Sequence, residues 1–169
     1  MGLLRNRQSG PPPTIFKMRE KLISIGDDSW IEDADGNRVF KADGKALRVR
    51  DTFILKDASG NEVAKIQEKA IAIRDKMKID LPGGSATIMK RAIGIRDRFK
   101  IDLDNGPDLS AMGNFVDHEY TIEQDGNKVA EISKKWFRVR DTYGVEIEQG
   151  ANIPLILAIT VAIDSMVHG

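Results

Sequence analysis

The stretch Ile153-Pro-Leu-Ile-Leu-Ala-Ile-Thr-Val-Ala-Ile-Asp-Ser-Met-Val167 decides how the rest of the 169-residue chain has to be arranged. Asn152 ahead of it is a capping residue, and Pro154 is tolerated in a first helical turn. At about 100° per residue the apolar side chains point in every direction. Thr160 and Asp164, four apart, form a small polar notch, with Ser165 off to one side. A helix apolar all round must be buried in protein or in lipid. These residues would extend about 22 Å, whereas a hydrocarbon core about 30 Å thick asks for about 20 residues. Asp164 would also cost a few kcal/mol in hydrocarbon. The reading is a helix at about 152–167 buried in protein.

What buries it is read from three stretches that share one pattern. Asp35-Gly36-Asn37-Arg-Val-Phe leads to Arg48-Val-Arg50-Asp51-Thr-Phe. Ser59-Gly60-Asn61-Glu-Val-Ala leads to Ala72-Ile-Arg74-Asp75-Lys-Met. Asp125-Gly126-Asn127-Lys-Val-Ala leads to Arg138-Val-Arg140-Asp141-Thr-Tyr. The Gly and Asp numbers differ by 15 in each (36 and 51, 60 and 75, 126 and 141). A fourth copy keeps Gly94-Ile-Arg96-Asp97-Arg-Phe, and a diverged one lies around Asp117 to Glu119. Asp-Gly and Gly-Asn mark tight turns, and alternation such as Ala64 and Ile66 against Lys65 and Gln67 has period two. Each internal repeat is therefore a β-hairpin. Five hairpins, with further strands at 15–24 and 29–33, give about twelve strands.

One face of such strands is charged and the other dry, as in an antiparallel sheet. Curling the sheet into a closed barrel removes its exposed edges. About twelve strands enclose more space than their own side chains can fill. The apolar helix fits that space. The expected fold is mainly β, a closed antiparallel barrel of about twelve strands around a buried hydrophobic C-terminal helix, forming one domain over 15–169. Residues 1–14, with Pro11-Pro-Pro13, read as a flexible N-terminal tail. It lacks the apolar run of a signal peptide, and Asn6 stands where a myristoylation site has Ser or Thr.

Met18-Arg-Glu-Lys-Leu-Ile-Ser-Ile-Gly-Asp-Asp28, the repeated Arg-Val-Arg-Asp-Thr and the Gly-Asn-x-Val-Ala turns resemble the LURP-one-related family over about residues 15–165. The resemblance implies a fold similar to the tubby C-terminal domain and to phospholipid scramblases, with a central hydrophobic helix. Tubby domains bind phosphoinositides and scramblases are calcium-responsive membrane proteins, but fold does not transfer activity. The expected function is that of a non-enzymatic, soluble, cytoplasmic barrel without a cofactor. It would bind a protein partner or an anionic, phosphoinositide-like lipid surface through peripheral membrane contact. The alternative is a scramblase-like, membrane-associated protein whose C-terminal helix inserts into lipid.

Composition narrows the chemistry. Lys plus Arg and Asp plus Glu are both 26, so no basic excess points to nucleic acid. The absence of cysteine excludes disulfides, a thiol nucleophile and thiolate metal sites. Only His118 and His168 are available, which argues against a multi-histidine metal site. Asp117-His118-Glu119 looks like a catalytic cluster, yet adjacent strand residues face opposite ways and cannot converge. Catalytic residues are therefore expected to be absent.

The candidate anion-binding residues are Lys90 and Arg91, and Lys134, Lys135 and Arg138 with Arg140 nearby. Two acidic turns mimic calcium loops: Asp33, Asp35 and Asn37, and Asp102, Asp104 and Asp108. Neither has the closing Glu, and both read primarily as turns. The pairs Arg50-Asp51, Arg74-Asp75, Arg96-Asp97 and Arg140-Asp141 occur four times, which suits a geometric role better than a catalytic one. Strict alternation would aim Asp51 inward with Phe53, so its carboxylate needs a partner or a bulge.

Overall fold

The computed structural model describes residues 12–20, 29–43, 52–68, 76–93 and 96–168. Among these residues twelve strands precede one helix. They are β1 (Thr14–Arg19), β2 (Ser29–Asp33), β3 (Arg38–Asp43), β4 (Thr52–Asp57), β5 (Glu62–Glu68) and β6 (Lys76–Leu81). β7 (Gly84–Ile93), β8 (Arg96–Leu103), β9 (Leu109–Asn114), β10 (Glu119–Gln124), β11 (Asn127–Ser133) and β12 (Thr142–Ile147) follow, then α1 (Ile153–His168). Each strand pairs antiparallel with its sequence neighbours, and β1 pairs with β12, so the sheet closes on itself as a barrel.

Period-two patterning explains which face turns inward. Ile66, Ile79, Ile88 and Ile101 are all buried. Ile66 lies opposite Ile79, and Ile88 opposite Ile101. Elsewhere small residues alternate with large ones, as where Leu55 faces Ala42 on one side and Ala64 on the other. The space left inside is taken by α1, whose residues 155–165 are buried without interruption. Eleven consecutive buried residues cover every helical direction, so the helix is enclosed by the wall. Its start is capped as the sequence predicts: the Leu155 N–H donates to Asn152 Oδ1 at 3.1 Å.

Up-and-down topology gives the barrel two unlike rims. Connections from an even strand to the next odd one share a rim with the start of α1. The turns after β2 and β4 there are built alike. Asp33 Oδ1 accepts from the N–H groups of Asp35 and Asn37, each at 2.9 Å. Asp57 Oδ1 does the same with Ser59 and Asn61. Gly36 and Gly60 supply the left-handed residue (φ 84° and 86°), and a bulge follows in each ladder. Asp125-Gly126 instead forms a two-residue turn with both φ positive, at 52° and 74°. Connections from an odd strand to the next even one lie at the opposite rim, toward which α1 runs and ends at His168.

Filling by the helix sets a stability expectation. Ile159→Ala, at a fully buried position, is expected to cost about 2–5 kcal/mol in urea unfolding. Val116→Ala, 64% exposed, should stay within about 0.5 kcal/mol of wild type. Equal midpoints for the two variants would contradict an enclosed helix.

Candidate functional site

The polar notch of α1 meets its partners at the rim where the helix ends. Thr160, Asp164 and His168 are spaced four apart and share one helical face. The Thr160 hydroxyl donates to its own backbone at Ile156 O (2.9 Å) and also interacts with the buried Tyr120 hydroxyl. Asp164 faces His118, with Oδ1 3.8 Å from His118 Nδ1. The other ring nitrogen, Nε2, stands 3.9 Å from Glu20 Oε1. The imidazole stacks with Tyr143, with centroids 4.1 Å apart and planes 11° apart, and with His168, with centroids 5.1 Å apart. Lys134 Nζ closes the group on Glu20 Oε1 at 2.6 Å.

His118 reaches this position through the turn between β9 and β10. Its φ of 53° is left-handed, which a non-glycine residue adopts at a cost. Its sequence neighbours point elsewhere, although Asp117 and His118 stand in a turn and not in the strand that alternation assumes. Asp117 accepts from Asn114 Nδ2 at 2.7 Å, and Glu119 Oε1 accepts from the Lys134 N–H at 3.0 Å. The convergence comes instead from β12, from α1 and from Glu20, which directly follows β1.

Burial controls the electrostatics. It lowers the His118 pKa to about 4, so the imidazole is neutral at pH 7. It raises the Asp164 pKa to about 6, and it pushes both Tyr120 and Tyr143 upward. The hydrogen bond from Lys134 lowers Glu20.

The sequence-predicted residues lie elsewhere. Lys134, Lys135 and Arg138 belong to the β11–β12 connection and are exposed. Lys135 pairs with Glu131 at 2.8 Å and covers the Trp136 ring. Trp136 and Phe137 lie against Gly144 so closely that a β-carbon there would stand 2.6 Å from Trp136 Cε3. This aromatic seat was not anticipated from the sequence. Arg138, Val139 and Arg140 project beyond it, all exposed.

Lys90 pairs with Asp97 at 3.4 Å. Arg91 borders a depression of about 300 Å³ whose lining mixes Arg98 and Lys100 with Asp108 and Glu123. Asp97 is the half-exposed rim member of the inward series that continues to Phe99, and Lys90 is its partner. Asp141 leaves the sheet at φ 60°, and its carbonyl accepts from the Glu20 N–H at 2.7 Å. Arg50, Asp51, Arg74 and Asp75 lie outside the described residues, as does the Arg96 side chain.

The acidic turn after β8 is held by cations and hydroxyls of the protein. Lys100 Nζ lies 3.3 Å from Asp102 and 3.9 Å from Asp108, while Asp104 takes the Ser85 hydroxyl at 3.4 Å. These three carboxylates do not gather their oxygens around one point. Among the described residues, His118, Asp164 and His168 do, with ligand atoms within 4.8 Å of one another.

The two shifted pKa values at the helix end act on stability with opposite signs. Between about pH 4 and 6 the folded chain keeps the Asp164 proton that the unfolded chain releases, so this group lowers stability as pH rises. Between about pH 4 and 6.5 the unfolded chain holds the His118 proton that the folded chain lacks, so this group raises it. Asp164→Asn removes only the first effect. In metal-free urea titrations the variant should match wild type near pH 4 and exceed it by about 3 kcal/mol above pH 6. A constant difference across that range would contradict the assignment.

The model of the LURP-one-related family matches residues 14–164. No curated protein matches the chain. Among solved structures, an X-ray structure of an Arabidopsis thaliana protein is similar, with a TM-score of 0.65 and 16% identity, covering 93% of each chain. At that identity the likeness concerns the fold alone. With the family match spanning nearly all of the barrel and its helix, the chain belongs to the LURP-one-related family.

Proposed function

We propose that this protein is a non-enzymatic barrel that docks on an anionic phospholipid surface through the connection between β11 and β12. The observation that carries the reading is the exposed sequence Arg138-Val139-Arg140, directly following Trp136 and Phe137, which pack over Gly144. Val139 is 59% exposed, an apolar tip between two guanidinium groups. Arginine stems bury readily at an interface while their heads reach phosphate, each worth about 1 kcal/mol near an anionic membrane. Neither arginine has an ion-pair partner among the described residues, whereas Lys134 and Lys135 are held by Glu20 and Glu131. The seat holds the loop in place, so docking loses little conformational freedom.

Two further points support the reading. The lumen that could have held a small substrate is filled by α1. Among the described residues no helix is long and apolar enough to cross a membrane. A scramblase-like insertion would require α1 to leave its enclosure and expose the wall's inner face. The surface chosen is that of the cytoplasmic leaflet, where anionic lipids concentrate. An acidic protein patch would satisfy the same arginines and is the competing partner.

Flotation with phosphatidylserine and phosphoinositide vesicles at low salt distinguishes these. The full chain is expected to co-float and to detach as salt is raised. Arg138→Glu with Arg140→Glu should reduce the bound fraction several-fold, and neutral phosphatidylcholine vesicles should bind little. Failure to co-float at low salt would exclude the lipid reading and leave the acidic protein patch.

A further inference from the structure

At the rim where α1 ends, three buried polar atoms have no hydrogen-bond partner among the described residues: both Asp164 carboxylate oxygens and the Tyr143 hydroxyl. Asp164 is only 4% exposed. A carboxylate left bare in an apolar interior is costly, and native structures normally supply a donor or a cation. We propose that His118, Asp164 and His168 form a binding site for a divalent transition-metal ion, zinc by its donor chemistry. The site is independent of the lipid-docking reading.

The donor set is two imidazole nitrogens and one carboxylate, which suits zinc and its neighbours better than calcium or magnesium. The spacing also fits. Tetrahedral bonds of about 2.1 Å hold ligand atoms about 3.4 Å apart. His118 Nδ1 and Asp164 Oδ1 stand at 3.8 Å, beyond hydrogen-bond distance and close to that edge. The three ligand atoms lie within 4.8 Å of one another.

The environment of His118 matches that of a ligand. A metal-bound histidine usually directs its second ring nitrogen at a carboxylate, and Glu20 Oε1 lies 3.9 Å from Nε2, beyond direct hydrogen-bond distance. Tyr143 stacks on the same ring and fixes its plane. His168, exposed on the last turn of α1, stacks on the same ring, and ligation asks its own ring to turn out of that stack. The ion would tie the helix end to the β9–β10 turn, and water would complete its coordination.

The full-length chain, without a histidine tag and stripped with chelator, is titrated with Zn²⁺ by calorimetry and with Co²⁺ by visible absorption. The expected result is saturable binding of one ion per chain, with cobalt bands of a low-symmetry site. Asp164→Asn removes the charged ligand. His168→Phe keeps the ring stack but cannot ligate. Each variant is expected to weaken Zn²⁺ binding by about tenfold or more. Absence of saturable binding, or wild-type affinity in either folded variant, overturns the site. Should Asp164→Asn fail to fold, His168→Phe on the exposed last turn decides alone.

Discussion

A twelve-stranded wall encloses a volume that its own inward side chains cannot fill, and α1 fills it. Everything else follows from that constraint. Because the lining has to fit around a helix, bulky inward residues are in places flanked by small ones, as in the run Ala42, Leu55, Ala64. The helix, in turn, has to be apolar in every direction. Neither part is stable without the other: an emptied barrel has a wet, apolar lumen, and a released helix exposes residues 155–165.

Antiparallel closure then assigns different work to the two ends. At the rim where α1 begins, carboxylates of Asp33 and Asp57 are consumed by their own turns, which shapes hairpins and leaves little for a ligand. At the rim where α1 ends, the polar notch of the helix meets His118 from a strained turn, Tyr143 from β12 and Glu20 beside β1. The exposed arginines flanking Val139 project from a connection at this same end. Lys134 links the two features, since it belongs to that connection and pairs with Glu20.

Much of the fold was legible because it rests on periodicity. Period two in the strands, the Asp-Gly and Gly-Asn turns and the uniform apolarity of 153–167 are local signals, and they sufficed for the barrel, the helix and the Asn152 cap. The notch of Thr160 and Asp164 was legible as well, and extending it by four residues reaches His168. Its partners were not. His118 enters through a left-handed turn, which alternation cannot anticipate, and Glu20, just after β1, and Tyr143, in β12, lie distant in sequence from it. The basic residues read as a loose cluster prove unequal for a similar reason. Lys90, Lys134 and Lys135 find carboxylates across strands or along the chain, while Arg138 and Arg140 form no ion pair among the described residues.

Amide hydrogen exchange in detergent-free buffer tests the enclosure of α1 most directly. The account predicts that the amides of residues 157–163 exchange among the slowest in the chain, at a rate set by opening of the whole barrel. Rapid exchange of these amides while the strand amides remain protected would contradict it.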